Sequence, residues 1–183
     1  MKRAGAFELT PLAIDKLTQA AFTFDKDGKG CARAHVRREL IGKDASVLAT
    51  AAGVQVPPGT QLLFGTTSEE HPFVQEEQMM PFIPIVRVPD VNAGIAAALR
   101  TEHGYRHTAV MHSRNIENVT KMARVMNTTL FVHNAPSMAA LGSEGASYLS
   151  YSIATPTGEG VTTPLTFTRE RQLTLGHGGL RII

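Results

Sequence analysis

The sequence predicts an α/β fold, a mostly parallel sheet with flanking helices. Between Phe82 and His133 the apolar period reads strand, helix, strand, helix, strand within about fifty residues, the pattern of parallel βαβ units. Hydrophobic residues make up 43% of the chain and charged residues 19%, a balance that supports a buried core. With 183 residues, no internal repeat and no interdomain linker, a single domain over 1–183 is the expectation.

Each element has a local reason. Thr10 is placed to cap a first helix and Pro11 suits its first turn, with Leu12, Leu17 and Ala21 read as one apolar face. Asp25 to Gly30 has turn composition, and it lacks the oxygen ligands and closing glutamate of a calcium loop. A second helix is predicted over Glu39 to Ala52, ended by Gly53, and a strand over Gln61 to Gly65. The β-branched run Phe82 to Val88 reads as a buried strand, with Pro84 pointing to an edge or a bulge. Asp90 caps a helix over Val91 to Glu102 that Gly104 stops. Ala109 to Met111 is a short strand, and Ile116 to Met126 a helix with Val119, Met122, Ala123 and Met126 on one stripe. Thr128 to His133 is the last strand of the run. Right-handed crossovers place both helices on one face of the sheet. Gly, Ser and Pro then loosen the pattern until apolar alternation resumes over Gln172 to Leu175.

Composition also excludes partners. Basic and acidic residues, 18 and 16, are intermixed for a net charge of +2, with no basic tract for nucleic acid. One cysteine, Cys31, allows no internal disulfide and fits a reducing compartment. No apolar run approaches the roughly 20 residues that span a bilayer. Met1 to Arg3 carries the charge of a signal peptide without the apolar stretch that must follow. A soluble, cytoplasmic protein is expected.

Several places carry chemistry by residue type. Glu77 lies four residues before Pro81 at a strand entrance; by spacing alone it is an exposed loop glutamate. His107 precedes a buried strand, where it is either structural or a proton carrier titrating near neutrality. His103, His107 and His112 straddle a helix end and a strand, so no shared metal is expected. Asn134 and Ser137 follow a strand; they line a pocket or form an Asx-type turn. In Thr155-Pro-Thr-Gly-Glu-Gly160, Gly158 and Gly160 flank Glu159, allowing close backbone approach to a ligand or positive φ. No Gly-Lys-Ser/Thr makes this a phosphate loop. Cys31 has basic neighbours that favour a thiolate. The methionines are core filler, with Met79 the exception.

In this order, Glu77-Gln-Met-Met-Pro81, Arg106-His107-Thr108-Ala109, Phe131-Val-His-Asn134 and Thr155-Pro-Thr-Gly-Glu-Gly160 resemble the CoA-acylating aldehyde dehydrogenases of propanediol and ethanolamine breakdown. The resemblance runs from the Thr10 helix to Ile183. It implies an aldehyde dehydrogenase catalytic-domain fold with a C-terminal segment that helps subunits associate. It implies the reaction of an aldehyde, NAD and coenzyme A to acyl-CoA and NADH through a cysteine thioester.

Glu77 then holds the nicotinamide-side ribose, since an ionised carboxylate accepts both hydroxyls of a diol. Met79 lies near the nicotinamide, His107 near the thioester as the base for the CoA thiol, and Asn134, Ser137, Gly158 and Glu159 on the substrate side. The family's cysteine segment and dinucleotide-binding domain are expected upstream of Met1, with Cys31 outside the catalytic machinery. The chain departs from the family at His133 and Ala135, where lysine and glycine are usual. Pro164-Leu-Thr-Phe167 stands where the family has Ala-Arg-Thr-Phe. Both departures remove a cation that contacts phosphate. A homo-oligomer, in the cytoplasm or a bacterial microcompartment, is the expected assembly. The alternative is a non-catalytic oligomerisation or CoA/nucleotide-binding module derived from the same family.

Overall fold

The computed structural model describes residues 1–25, 34–142, 149–150, 153–154, 160–174 and 176. The chain divides into two compact units, Met1–Ala97 and Ala98–Ile183.

The first unit opens with β1 (Phe7–Glu8) and α1 (Pro11–Ala21). Thr10 caps α1 as expected, its side chain accepting from the Ala13 amide at 3.3 Å. The buried face is Ala13, Ile14, Leu17 and Ala21, whereas Leu12 is 66% exposed. Leu12 and Leu17 are five residues and so about 140° apart around a helix, too far to share one face. After α1 come β2 (Phe22–Phe24) and β3 (Ala34–Val36), paired antiparallel.

The helix expected over Glu39 to Ala52 is interrupted. A 3₁₀ turn covers Arg38–Leu40, and α2 occupies only Ala45–Ala51. Gly42 lies between them at φ +67, a backbone region that a helix cannot use. Gly53, at φ +73, ends the segment as expected.

The strand expected at Gln61 lies two residues later, as β4 (Leu63–Thr67), and α3 (Pro72–Gln75) precedes β5 (Phe82–Val86). These strands form a parallel sheet in the order β1-β4-β5, with Leu63 opposite Phe82 and Gly65 opposite Pro84. Pro84 thus stands in a terminal strand of this sheet, where its missing N–H costs least. Only Phe82 in β5 is fully buried, and Ile83 is 43% exposed, so the run is less enclosed than its β-branched content suggests. Gly65 lets α1 close on β4: a Cβ there would fall 2.5 Å from Ile14 Cδ1. The core gathers Leu17, Leu48 and Leu63 with the rings of Phe22, Phe73 and Phe82; the Phe22 and Phe82 centroids lie 4.8 and 4.7 Å from that of Phe73.

Helix α4 (Val91–Thr101) starts where the Ala93 amide donates to Asp90 Oδ1 at 2.9 Å, and it carries the unit boundary. The second unit contains β6 (Thr108–Met111), α5 (Ile116–Met126) and β7 (Leu130–His133). Strands β6 and β7 are parallel, Thr108 opposite Leu130 and Met111 opposite His133. Helix α5 matches its predicted span. Asn115 Oδ1 accepts the amides of Glu117 and Asn118, and Asn127 closes the helix at φ +47.

The expected continuous run is therefore two pieces. β6–α5–β7 is a parallel crossover, while β5 and β6 belong to different sheets. Further on, 3₁₀ turns cover Ser137–Leu141 and Pro164–Phe167, and β8 (Ile153–Ala154) pairs antiparallel with β9 (Gly160–Val161). The alternation expected over Gln172 to Leu175 forms no strand among the described residues 172–174, where Leu173 is 86% exposed. Among the described residues, no helix is long and apolar enough to cross a membrane.

Candidate active site

Glu77 and Met79 occupy the loop from α3 to β5. Gln78, which sequence reasoning passed over, braces that loop. Its Oε1 accepts from the Met80 amide at 3.0 Å and its Nε2 donates to the Phe82 carbonyl at 2.9 Å. The Met79 carbonyl accepts from the Gly42 amide at 3.1 Å, so the break between the 3₁₀ turn and α2 holds this loop. Met79 adopts φ +45 and is 63% exposed, while its neighbour Met80 is 8% exposed and anchors the loop in the core. Such a φ in an unbranched non-glycine residue is uncommon and persists where neighbours hold it. Glu77 is exposed. The result is an acceptor-only carboxylate beside an outward thioether on a hydrogen-bonded loop. No sequence pattern announces Gln78, because both its partners are backbone atoms.

A second polar cluster of this unit surrounds His71, half-buried at the start of α3. Its Nδ1 accepts from the Phe73 amide at 3.2 Å, and its Nε2 lies 3.3 Å from Thr18 Oγ1 on α1. Thr18 Oγ1 itself donates to the Ile14 carbonyl at 2.8 Å, so Nε2 is the donor and the ring is neutral. Burial lowers the His71 pKa from its ordinary value, against the opposing charge of Asp15.

In the second unit the remaining candidates separate along the strands. His107 precedes β6, and its carbonyl accepts from the Leu130 amide at 3.0 Å. Asn134 follows β7, and its amide donates to the Met111 carbonyl at 3.0 Å. His107 and Asn134 thus stand at opposite ends of the parallel pair, about 16 Å apart along the strand direction. Ligands of open parallel sheets gather at the carboxyl ends, the end of Asn134 and Ser137. The two ends of this pair are not one cluster.

His107 is exposed, with Nδ1 2.7 Å from Thr108 Oγ1. Asn134, at φ +53, is a clamp: its Oδ1 accepts from the Ser113 amide and its Nδ2 donates to the Ser113 carbonyl, both at 2.9 Å. His133 Nε2 donates to that same carbonyl at 2.9 Å. Ser113 Oγ in turn accepts from the Asn115 amide at 3.1 Å, linking the clamp to the α5 cap. Asn134 therefore spends its amide on the loop after β6, and Ser137, itself exposed, opens the 3₁₀ turn beyond it. Gly158, Glu159 and Cys31 lie outside the described residues.

The parallel sheets and these loops define a segment of an acylating aldehyde dehydrogenase fold. A propionaldehyde dehydrogenase from Rhodopseudomonas palustris with bound propionyl-CoA superposes with a TM-score of 0.83 and 40% identity, covering 93% of this chain and 36% of that one. A propionaldehyde dehydrogenase from the Clostridium phytofermentans fucose utilisation microcompartment gives 0.83 at 36% identity, over 93% and 37% of the two chains. The acetylating acetaldehyde dehydrogenase EutE of Escherichia coli is 48% identical over 151 residues, 82% of this chain and 32% of that protein. No family model matches the chain. The chain belongs to the CoA-acylating aldehyde dehydrogenases, and it spans about a third of the length of the relatives it matches.

Proposed function

We propose that this chain forms part of a CoA-acylating aldehyde dehydrogenase that converts a short-chain aldehyde, NAD and coenzyme A to acyl-CoA and NADH. The observation that supports it most is the likeness over 93% of the chain to an enzyme holding propionyl-CoA. The same organism's enzyme has been solved with CoA and an acylated cysteine, and an engineered glycolyl-CoA reductase with NADP⁺. On this reading the 183 residues are the later part of one catalytic domain. The thiolate and most cofactor contacts come from upstream residues, and Cys31 takes no part.

NAD, when bound, supplies the hydride acceptor. The residues present fit it at Glu77, whose exposed carboxylate on a braced loop accepts the two hydroxyls of a ribose. Met79 offers soft apolar bulk beside it. His107 acts as the base for the CoA thiol: with its proton on Nδ1, donated to Thr108 Oγ1, it keeps the Nε2 lone pair for that proton. Asn134 shapes the substrate side through Ser113, Ser137 borders it, and Gly158 with Glu159 positions the neighbouring segment. Leu165, Phe167 and Leu173 are 77%, 79% and 86% exposed, which supports association with further copies of the full enzyme. We assign the enzyme to the cytoplasm or a microcompartment of the kind that houses the Clostridium relative.

The test is the intact mass of the purified chain beside an NADH-forming assay with propionaldehyde and CoA. At 19.7 kDa no CoA-dependent NADH is expected from the chain alone. NADH formation at that mass, abolished by Cys31→Ala, overturns the placement of the nucleophile upstream. The alternative non-catalytic module predicts stable assembly with no turnover even when the upstream portion is supplied.

A further inference from the structure

We infer that Glu102 is the positioning residue for His107, an inference that rests on the proton-carrying role proposed for His107. The chain turns sharply between α4 and β6. His103, Gly104 and Arg106 adopt φ of +55, +80 and +53, three left-handed residues within four. A bend of this kind turns successive backbone N–H groups toward one point and forms a nest that suits an anion. The anion in this nest is the chain's own. Glu102 Oε2 accepts from the Gly104 amide at 2.9 Å, and Oε1 accepts from the Arg106 amide.

The placement of this acid is unfavourable by itself. Glu102 directly follows the last residue of α4, where the helix dipole disfavours negative charge. Two charge-assisted bonds from backbone amides offset that cost and the strain of the bend. The same bonds fix the approach to β6. The Arg106 amide is held by Glu102, while the Arg106 and His107 carbonyls accept from Thr129 and Leu130 at 2.9 and 3.0 Å. The backbone entering His107 is thereby tied on one side to a carboxylate and on the other to β7. The ring is then oriented by its contact with Thr108 Oγ1. Without Glu102 the Gly104 and Arg106 amides lose the carboxylate that gathers them, and the imidazole loses its fixed approach to the thiol. Proton transfer depends steeply on such placement.

Two measurements test this. In the 183-residue chain, hydrogen exchange of the Gly104 and Arg106 amides is followed by NMR in the wild type, Glu102→Gln and Glu102→Ala. Both are expected to exchange slowly in the wild type and markedly faster in Glu102→Ala, less so in Glu102→Gln, with the rest of the spectrum unchanged. In the dehydrogenase carrying the upstream portion, acyl transfer to CoA is expected to fall about tenfold or more in Glu102→Ala, and less in Glu102→Gln, since misplacement of a reacting group carries penalties of this size. NADH release in the first half-reaction should stay unchanged, as it would not if the substitution merely damaged the fold.

Amides whose exchange is unchanged in Glu102→Ala overturn the inference. So does normal acyl transfer in Glu102→Ala while His107→Ala is impaired, and that result leaves the reading of His107 intact. Normal transfer in both variants removes the reading of His107 and leaves Glu102 a helix-end cap, which also overturns its positioning role.

Discussion

The two units hold their candidate residues by different means. In Met1–Ala97 the site loop rides on a closed apolar core: Leu17, Leu48 and Leu63 are fully buried, Phe22 and Phe82 are 1% exposed, and Met80 pins the loop into that core. In Ala98–Ile183 the buried residues of the described part are fewer and less enclosed, with Ala109, Val119 and Leu130 at 7% and Val132 at 6%. There the work passes to polar groups at the element ends. Asn115 caps α5, Asn134 clamps Ser113, and Glu102 gathers the bend before β6. Apolar burial gives stability without direction, while hydrogen bonds give direction at modest net gain. On the role proposed for Glu77, a loop that presents one carboxylate can be carried by the first. On the role proposed for His107, an imidazole that meets a thiol at one angle calls for the second.

The largest expected effect that would break this comparison is in the first core. Phe82→Ala removes a ring in contact with Phe73 and is expected to destabilise by about 3–5 kcal/mol in urea unfolding. Leu130→Ala in β7 should cost about 2–3 kcal/mol, toward the low end for a buried leucine because the site is less enclosed. An equal or larger loss at Leu130 would show that the second unit depends on its core as much as the first.

Asn134→Ala should cost about 1–3 kcal/mol, since it takes the acceptor from the Ser113 amide, leaves the Ser113 carbonyl to His133 alone and places a Cβ residue at φ +53 without the bonds that held it there. Asn134→Gly should cost less, because glycine tolerates that φ. If the two variants are equally stable, the clamp matters through its bonds alone. The smallest effect is a pH dependence in the first unit. His71 is neutral in the fold with its pKa lowered by burial, so the unfolded chain binds a proton first as pH falls. Its contribution is complete above the ordinary histidine pKa of about 6.5 and declines as pH drops from there toward the lowered value. Thermal unfolding of wild type and His71→Gln from pH 8 to pH 5 should converge at the acid end. Parallel curves would remove His71 from the account.

Several particulars were legible beforehand because they are local. The span of helix α5 follows from its 3.6-residue stripe, while its Asn115 and Asn127 ends became visible only in the structure. Thr10 with Pro11 and Asp90 likewise mark helix starts. The four family motifs are contiguous strings, so the kinship and the candidates Glu77, Met79, His107, Asn134 and Ser137 could be read along the chain.

The atoms those residues already use could not be read in this way. The Asn134 amide is spent on Ser113, twenty-one positions away in sequence, and nothing near either residue signals the pairing. The helix over Glu39 to Ala52 failed because Gly42 answers to Met79 rather than to its own neighbours. His107 was read before a strand and Asn134 after one, and the parallel pairing of β6 with β7 sets those two positions at opposite ends of a single pair. By itself the sequence determined helix α5, the helix starts at Thr10 and Asp90 and the family, since these depend on neighbours within a helical turn or on contiguous strings. The tertiary structure alone decided which strands pair and which polar groups are already engaged. Parallel pairing and backbone hydrogen bonding join residues far apart in the chain, and neither leaves a local trace.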